Sequence, residues 1–102
     1  MRQVMIRYKV KPGTAETNEA LVRDVYEELR QSQPGGLSYG TFKLEDGLTF
    51  VHIASHSTDA NPLPETAAFQ RFQADLRARC DEPPVVTELR EVGSYRLFGE
   101  GS

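Results

Sequence analysis

From Gln3 to Lys11 apolar and polar residues alternate, with Val4, Ile6, Tyr8 and Val10 on one side and Met5, Arg7 and Lys9 on the other. A period of two with β-branched residues predicts a strand, and Pro12-Gly13 ends it. From about Thr14 to Ser32 the period lengthens. Leu21, Val22, Val25, Tyr26 and Leu29 recur at helical spacing, backed by Glu16, Glu19, Arg23, Asp24, Glu27, Glu28 and Arg30. This pattern predicts an amphipathic helix, closed by Pro34-Gly35-Gly36.

Residues Leu37–Leu44 and Leu48–Ser57 read as two strands around Asp46-Gly47, a dipeptide suited to a two-residue hairpin turn with positive φ angles. That turn pairs Lys43 with Phe50, Thr41 with His52, Tyr39 with Ala54 and Leu37 with His56. One hairpin face then holds Leu37, Tyr39, Phe50, His52, Ala54 and His56, and the other Phe42, Leu44, Val51 and Ile53. The second set is purely apolar and is the one expected against the helices. After a polar loop from Ser57 to Pro64, a second helix starts near Pro64 or Glu65. It buries Ala68, Phe69, Phe72 and Leu76, and Asp81-Glu82-Pro83-Pro84 stops it. A last strand runs from Val85 to about Phe98, with Gly93 as a bulge.

The order is β-α-β-β-α-β, which predicts an α+β, ferredoxin-like domain: a four-stranded antiparallel sheet with two helices on one face. Right-handed crossovers put both helices on that face. The other face, expected to hold Met5, Leu37, Tyr39, Phe50, Val86, Val92 and Phe98, has no cover within the chain. A patch of that size marks an interaction surface. Two such sheets packed face to face would bury it, so the expected assembly is a homodimeric β-barrel.

Residues 1–102 fit one small domain, without repeat or linker. The net charge of −3 and the scattered basic residues argue against nucleic-acid binding. The lack of a long apolar run argues against a membrane span. Cys80, the only cysteine, rules out an intrachain disulfide and fits a cytoplasmic setting. A buried structural thiol is the expected role.

His52 and His56 are the only histidines. On a strand that spacing puts them about 13 Å apart, at about 3.3 Å per residue, too far to share a metal, so no metal site is expected. One imidazole can still serve as a general base in an enclosed cavity. His52, opposite Thr41 and diagonal to Tyr39, is better placed than His56 at the strand end; a hydrogen-bonded histidine without chemistry is the simpler reading of both. Tyr8, Tyr26, Tyr39 and Tyr95 can line a pocket or fill the core. Arg7 can hold a carboxylate or pair with Glu88 or Glu91.

Tyr8-Lys9-Val10-Lys11-Pro12-Gly13 leading into the first helix, the short second hairpin, and Ala67-Ala68-Phe69-Gln70 in the second helix carry a resemblance. Over nearly its whole length, from Val4 to about Phe98, the chain resembles the dimeric α/β-barrel superfamily, and within it the antibiotic biosynthesis monooxygenase-like domains. The resemblance implies a homodimer and a small ligand cavity between sheet and helices. It implies a cofactor-independent monooxygenase-like enzyme acting on a small aromatic or polyketide-like compound. His52 and Tyr39 would then be catalytic, and Tyr8, His56, Phe72 and Arg7 would bind substrate. The alternative is a non-catalytic dimeric ligand-binding or stress-associated module. Two departures are plain: cofactor-free oxygenases of this group use an asparagine on an early strand and a tryptophan, whereas the first strand here has no asparagine and the chain no tryptophan.

Overall fold

The computed structural model describes residues 2–57 and 61–97. Strand β1 (Arg2–Val10) leads through helix α1 (Ala15–Ser32) to the hairpin β2 (Leu37–Lys43) and β3 (Thr49–His56). A 3-10 turn at Leu63–Glu65 precedes α2 (Ala67–Ala74), α3 (Leu76–Arg79) and strand β4 (Cys80–Leu89). The sheet order is β2-β3-β1-β4 with every neighbour antiparallel, the ferredoxin-like arrangement the element order predicts.

The hairpin register is the expected one, with Leu37 opposite His56, Tyr39 opposite Ala54, Thr41 opposite His52 and Lys43 opposite Phe50. Its turn is longer than two residues. The Gly47 N–H donates to Leu44 O at 3.0 Å, and within the turn only Gly47 takes a positive φ, +72°. Asp46 fixes the bend with its side chain, accepting from Thr49 Oγ1 at 2.6 Å and from the N–H groups of Leu48 and Thr49 at 2.9 and 2.8 Å. Those donors pull its carboxyl down to about 2, the Thr49 hydroxyl contributing most.

The face of the hairpin that meets the helices is the reverse of the one expected. Phe50, His52, Ala54 and His56 are buried, whereas Phe42 is exposed and Val51 and Ile53 are half-buried. The register with β1 puts Tyr8 beside Phe50, Ile6 beside His52 and Val4 beside Ala54, all on the helix side. Tyr8 stacks on Phe50 with ring centroids 5.6 Å apart, and Val10, Val22, Val25, Leu63, Ala68, Phe72, Leu76 and Cys80 complete the core. Each such side chain removed from water contributes about 1.5–3 kcal/mol. Leu37, Tyr39, Phe50 and Val86 thus leave the expected open face, which keeps Met5 and presents Phe42, Val51, Ile53, Val85 and Leu89 beside it.

Asp81-Glu82-Pro83-Pro84 does not stop a helix but lies within β4. An edge strand tolerates proline because its outer N–H groups need no partner. The register shift between Arg7 and Lys9, from Val85 to Glu82 on β4, absorbs the two prolines as a bulge. Beyond Leu89 no strand continues through Leu97, so Val92 and Gly93 lie outside the sheet, and Phe98 is outside the described residues.

The second helical segment begins later than expected. Thr66 caps α2, its Oγ1 accepting from the Phe69 N–H at 3.3 Å. Glu28, expected on the solvent side of α1, caps it too, its Oε1 accepting from the Ala68 N–H at 2.9 Å. That bond pins the two long helical segments together over the sheet. The helix then breaks at Asp75, whose φ and ψ of −118° and 17° are not helical. Cys80 is buried as expected, at the start of β4.

Candidate functional site

A cleft of about 550 Å³ opens between the α2–α3 segment and the β1–β4 side of the sheet. Tyr8 and Ile6 from β1, His52 from β3 and Tyr39 from β2 line its sheet side. Phe69, Phe72 and Leu76 line the helical side, and Pro84 and Val86 form a lip on the edge strand. Alternation along the strands accounts for this grouping, because Tyr8, His52 and Tyr39 all point to the helix face. The break at Asp75 turns α3 away from α2 along the cleft wall.

Behind the apolar wall runs a buried polar chain. Arg79 donates through Nε and Nη2 to Asn18 Oδ1, at 3.3 and 3.1 Å, and through Nη2 to Phe72 O at 3.0 Å. Asn18 Nδ2 donates to Tyr8 Oη at 2.9 Å, and Tyr8 Oη lies 2.8 Å from His52 Nε2. On the other side of the imidazole, Nδ1 meets the Tyr39 hydroxyl in a short contact and Thr41 Oγ1 at 3.1 Å, and Thr41 Oγ1 meets Tyr26 Oη at 2.7 Å. Among the described residues no buried side-chain nitrogen or oxygen lacks a partner.

The electrostatics at the floor of the cleft are those of buried groups. Burial pushes the His52 imidazole down from its ordinary 6.5 to about 4, so it is neutral at physiological pH. Burial also pushes Tyr26 up to about 12, and Tyr8 and Tyr39 higher still, a hydrogen bond from Asn18 partly offsetting the effect on Tyr8. All three phenols therefore stay protonated. Arg79, 8% exposed, is the one charged member of this hydrogen-bonded network, held by two oxygens and by the face of Phe72, with its guanidinium carbon 5.7 Å from the ring centroid. No carboxylate pairs with it among the described residues. The site can hold an apolar, flat molecule against Phe69 and Phe72 and offer neutral hydrogen-bonding groups to an oxygen on it.

Of the residues expected in the site, His52, Tyr39, Tyr8 and Phe72 come together in this cleft. His56 does not; it is buried at the far end of β3, donating from Nδ1 to Ser57 O at 2.7 Å. Arg7 faces the opposite side of the sheet, between Val51 and Val85, and Glu88 pairs with Arg2 at 2.7 Å rather than with Arg7. Asn18 and Arg79 were not foreseen. Both carried a signal: Asn18 stands four residues before Val22 on the buried stripe of α1, and Arg79 seven residues after Phe72 on the stripe of the second segment. Polar residues at core positions must find partners inside. Among the described residues, no group of three or more His, Cys, Asp or Glu is placed to hold a metal ion. No helix among the described residues is long and apolar enough to cross a membrane.

Solved structures share this fold. The crystal structure of an antibiotic biosynthesis monooxygenase superposes with a TM-score of 0.75 at 24% identity, covering 91% of this chain and 100% of the other. PA3566 from Pseudomonas aeruginosa gives 0.73 at 21% identity, over 90% and 94% of the two chains. SnoaB, a cofactor-independent oxygenase from Streptomyces nogalater crystallised as a point mutant, gives 0.63 at 18% identity, over 89% and 94%. Among curated proteins none matches the chain. Identities this low speak for the fold alone, but the sequence goes further: residues 1–62 match the antibiotic biosynthesis monooxygenase family, to which the chain belongs.

Proposed function

We propose that the protein is a homodimeric, cofactor-independent monooxygenase acting on a small aromatic or polyketide-like compound held in the cleft. The observation that carries this reading is the cleft itself: an apolar slot walled by Phe69 and Phe72, with the Tyr39 and His52 side chains on its floor. A similar fold is described as a cofactor-independent oxygenase. Without a cofactor, the substrate itself must supply electrons to dioxygen, which favours a compound that forms an enolate or phenolate. Dioxygen then converts a methylene to a carbonyl; one oxygen atom stays in the product and the other leaves with both hydrogens as water. Neutral donors in a dry pocket stabilise the developing oxyanion, the larger share of catalysis in many such sites. His52 and Tyr39 act at that oxygen, while Tyr8 and Phe72 shape the slot.

Anthrone, whose methylene ionises to an enolate, is a direct probe. Dioxygen uptake matched by formation of the quinone is expected, falling roughly 10²-fold in Tyr39→Phe and His52→Ala. Absence of uptake with anthrone and its hydroxylated derivatives, or uptake unchanged in both variants, rejects the reading. One feature favours a second reading, a dimeric module that binds without turnover: an imidazole held near 4 is a weak base at neutral pH. Tight binding of anthrone without dioxygen uptake would select it.

The dimer rests on the open face of the sheet. Phe42 is 41% and Val85 61% exposed there, beside Met5, Val51, Ile53 and Leu89. A second copy packed on this face buries all of them across a two-fold axis. Light scattering at micromolar concentration should give twice the chain mass, and Ile53→Glu should give the chain mass. A wild-type monomer under those conditions overturns the assembly.

A further inference from the structure

We infer that the buried polar chain is polarised in one direction, from Arg79 through Asn18 and Tyr8 to His52, so that His52 carries its hydrogen on Nδ1 and Tyr39 offers its hydroxyl hydrogen to an acceptor oxygen in the cleft. This deepens the proposed reading of the cleft as a small-molecule site and rests on it. Asn18 and Arg79 become positioning residues for a site they do not touch.

A guanidinium has only donors, so the Asn18 atom that meets both Arg79 nitrogens is the carbonyl oxygen. The amide orientation is thereby fixed, and Nδ2 must donate to Tyr8 Oη. Tyr8 is 1% exposed and keeps one hydroxyl hydrogen to place. Among the described residues its only other partner is His52 Nε2, 2.8 Å away. If Nε2 also carried hydrogen, the phenol would accept twice and its own hydrogen would be buried without an acceptor, at a cost that native interiors avoid. Nε2 is therefore the acceptor.

A neutral imidazole with a bare Nε2 is protonated on Nδ1. That hydrogen goes to the oxygens of Tyr39 and Thr41. Each of these hydroxyls receives and so retains a hydrogen to give. Thr41 exchanges its bond with Tyr26. Tyr39 lines the cleft, and its hydrogen is the one a bound molecule can take. Burial holds the Tyr39 phenol far above its ordinary range, so the hydrogen is present at any physiological pH. The ligand chemistry this selects is an aromatic body bearing a carbonyl, enolate or phenolate oxygen, against one bearing only donors or no polar atom.

The test uses an isosteric switch. Asn18→Asp keeps the acceptor for Arg79 and adds a charge partner, so the chain should stay folded. A carboxylate cannot donate to Tyr8, which then gives its hydrogen to the new side chain and accepts from His52. The imidazole must move its hydrogen to Nε2, and Tyr39 must donate to Nδ1 instead of to the cleft. Nitrogen-15 NMR of histidine-labelled protein should show His52 protonated on Nδ1 in the wild type and on Nε2 in Asn18→Asp. In parallel, 9-fluorenone, an acceptor, should bind the wild type about ten-fold more tightly than fluorene, its match without oxygen. Both Asn18→Asp and Tyr39→Phe should abolish that preference. Nε2 protonation in the wild type, or equal binding of the two probes, overturns the inference while leaving the cleft as a binding site. Binding of neither probe overturns the cleft as a small-molecule site, and the acceptor preference falls with it.

Discussion

Replacing Asn18 by leucine is expected to destabilise the fold by about 3–5 kcal/mol, although leucine is apolar, similar in size and placed on the buried stripe of a helix. The reason lies 61 residues away along the chain, in Arg79. Asn18 is fully buried and its Oδ1 receives two of the guanidinium's hydrogen bonds. With leucine there, the cation keeps only Phe72 O and the Phe72 ring, and Tyr8 loses the donor to its oxygen. A charge stranded in the core costs more than a lost neutral bond. Arg79→Met removes the charge along with the bonds, leaves two carbonyl oxygens unpaired, and should cost about 2–4 kcal/mol. The double variant should lose less than the sum by at least about 1 kcal/mol, because the second change removes the stranded cation. Urea unfolding of the wild type and three variants measures all of this. A loss near zero in Asn18→Leu would mean that Arg79 escapes to water when its partner is gone. For a domain of this size total stability is about 5–15 kcal/mol, so the single substitution puts folding itself at risk.

The elements, their order and the hairpin register are legible in the chain because they depend on local spacing. Tyr39 opposite Ala54 and Thr41 opposite His52 follow from counting outward from Asp46-Gly47, even though the turn itself is longer than the dipeptide suggests. Which face meets the helices is not legible in the same way. Apolarity points to Phe42, Val51 and Ile53, yet the helices cover His52, Tyr39 and Thr41. A sheet apolar on both faces gives no local reason to prefer one, and the polar groups inside are tolerated because each meets a partner from another element. Prolines in β4 mislead for a related cause: they break the interior of a helix, but on an edge strand with a bulge they cost no ladder bond. The cleft was half legible. His52, Tyr39, Tyr8 and Phe72 announce themselves by residue type, whereas Asn18 and Arg79 show only as polar residues out of place on two helical stripes.

Acidification should remove about 3 kcal/mol of stability between pH 6.5 and 4, through His52 alone. In the folded chain burial holds its imidazole at about 4, against an ordinary 6.5 for the exposed group. The unfolded chain therefore takes up the proton first as pH falls, and proton uptake favours unfolding across that window. Above pH 6.5 both states are neutral and the contribution is fully present; below about 4 both are charged and the loss is complete. The groups around the ring do not share the window, since Tyr8, Tyr39 and Tyr26 titrate far above it. Asp46 titrates below it: its carboxyl is held at about 2 against 3.8, so what it contributes is present above 3.8 and lost as pH falls through 2. His52→Gln should lower stability at pH 7, because a glutamine cannot bridge Tyr8 and Tyr39 as the ring does, yet flatten the profile between 6.5 and 4. Denaturant midpoints measured at half-unit pH steps for both proteins decide it. A wild-type profile as flat as that of His52→Gln would mean that the imidazole is protonated in the native site. A charged ring has no acceptor nitrogen for Tyr8, so that outcome would also break the hydrogen-bond chain at its centre.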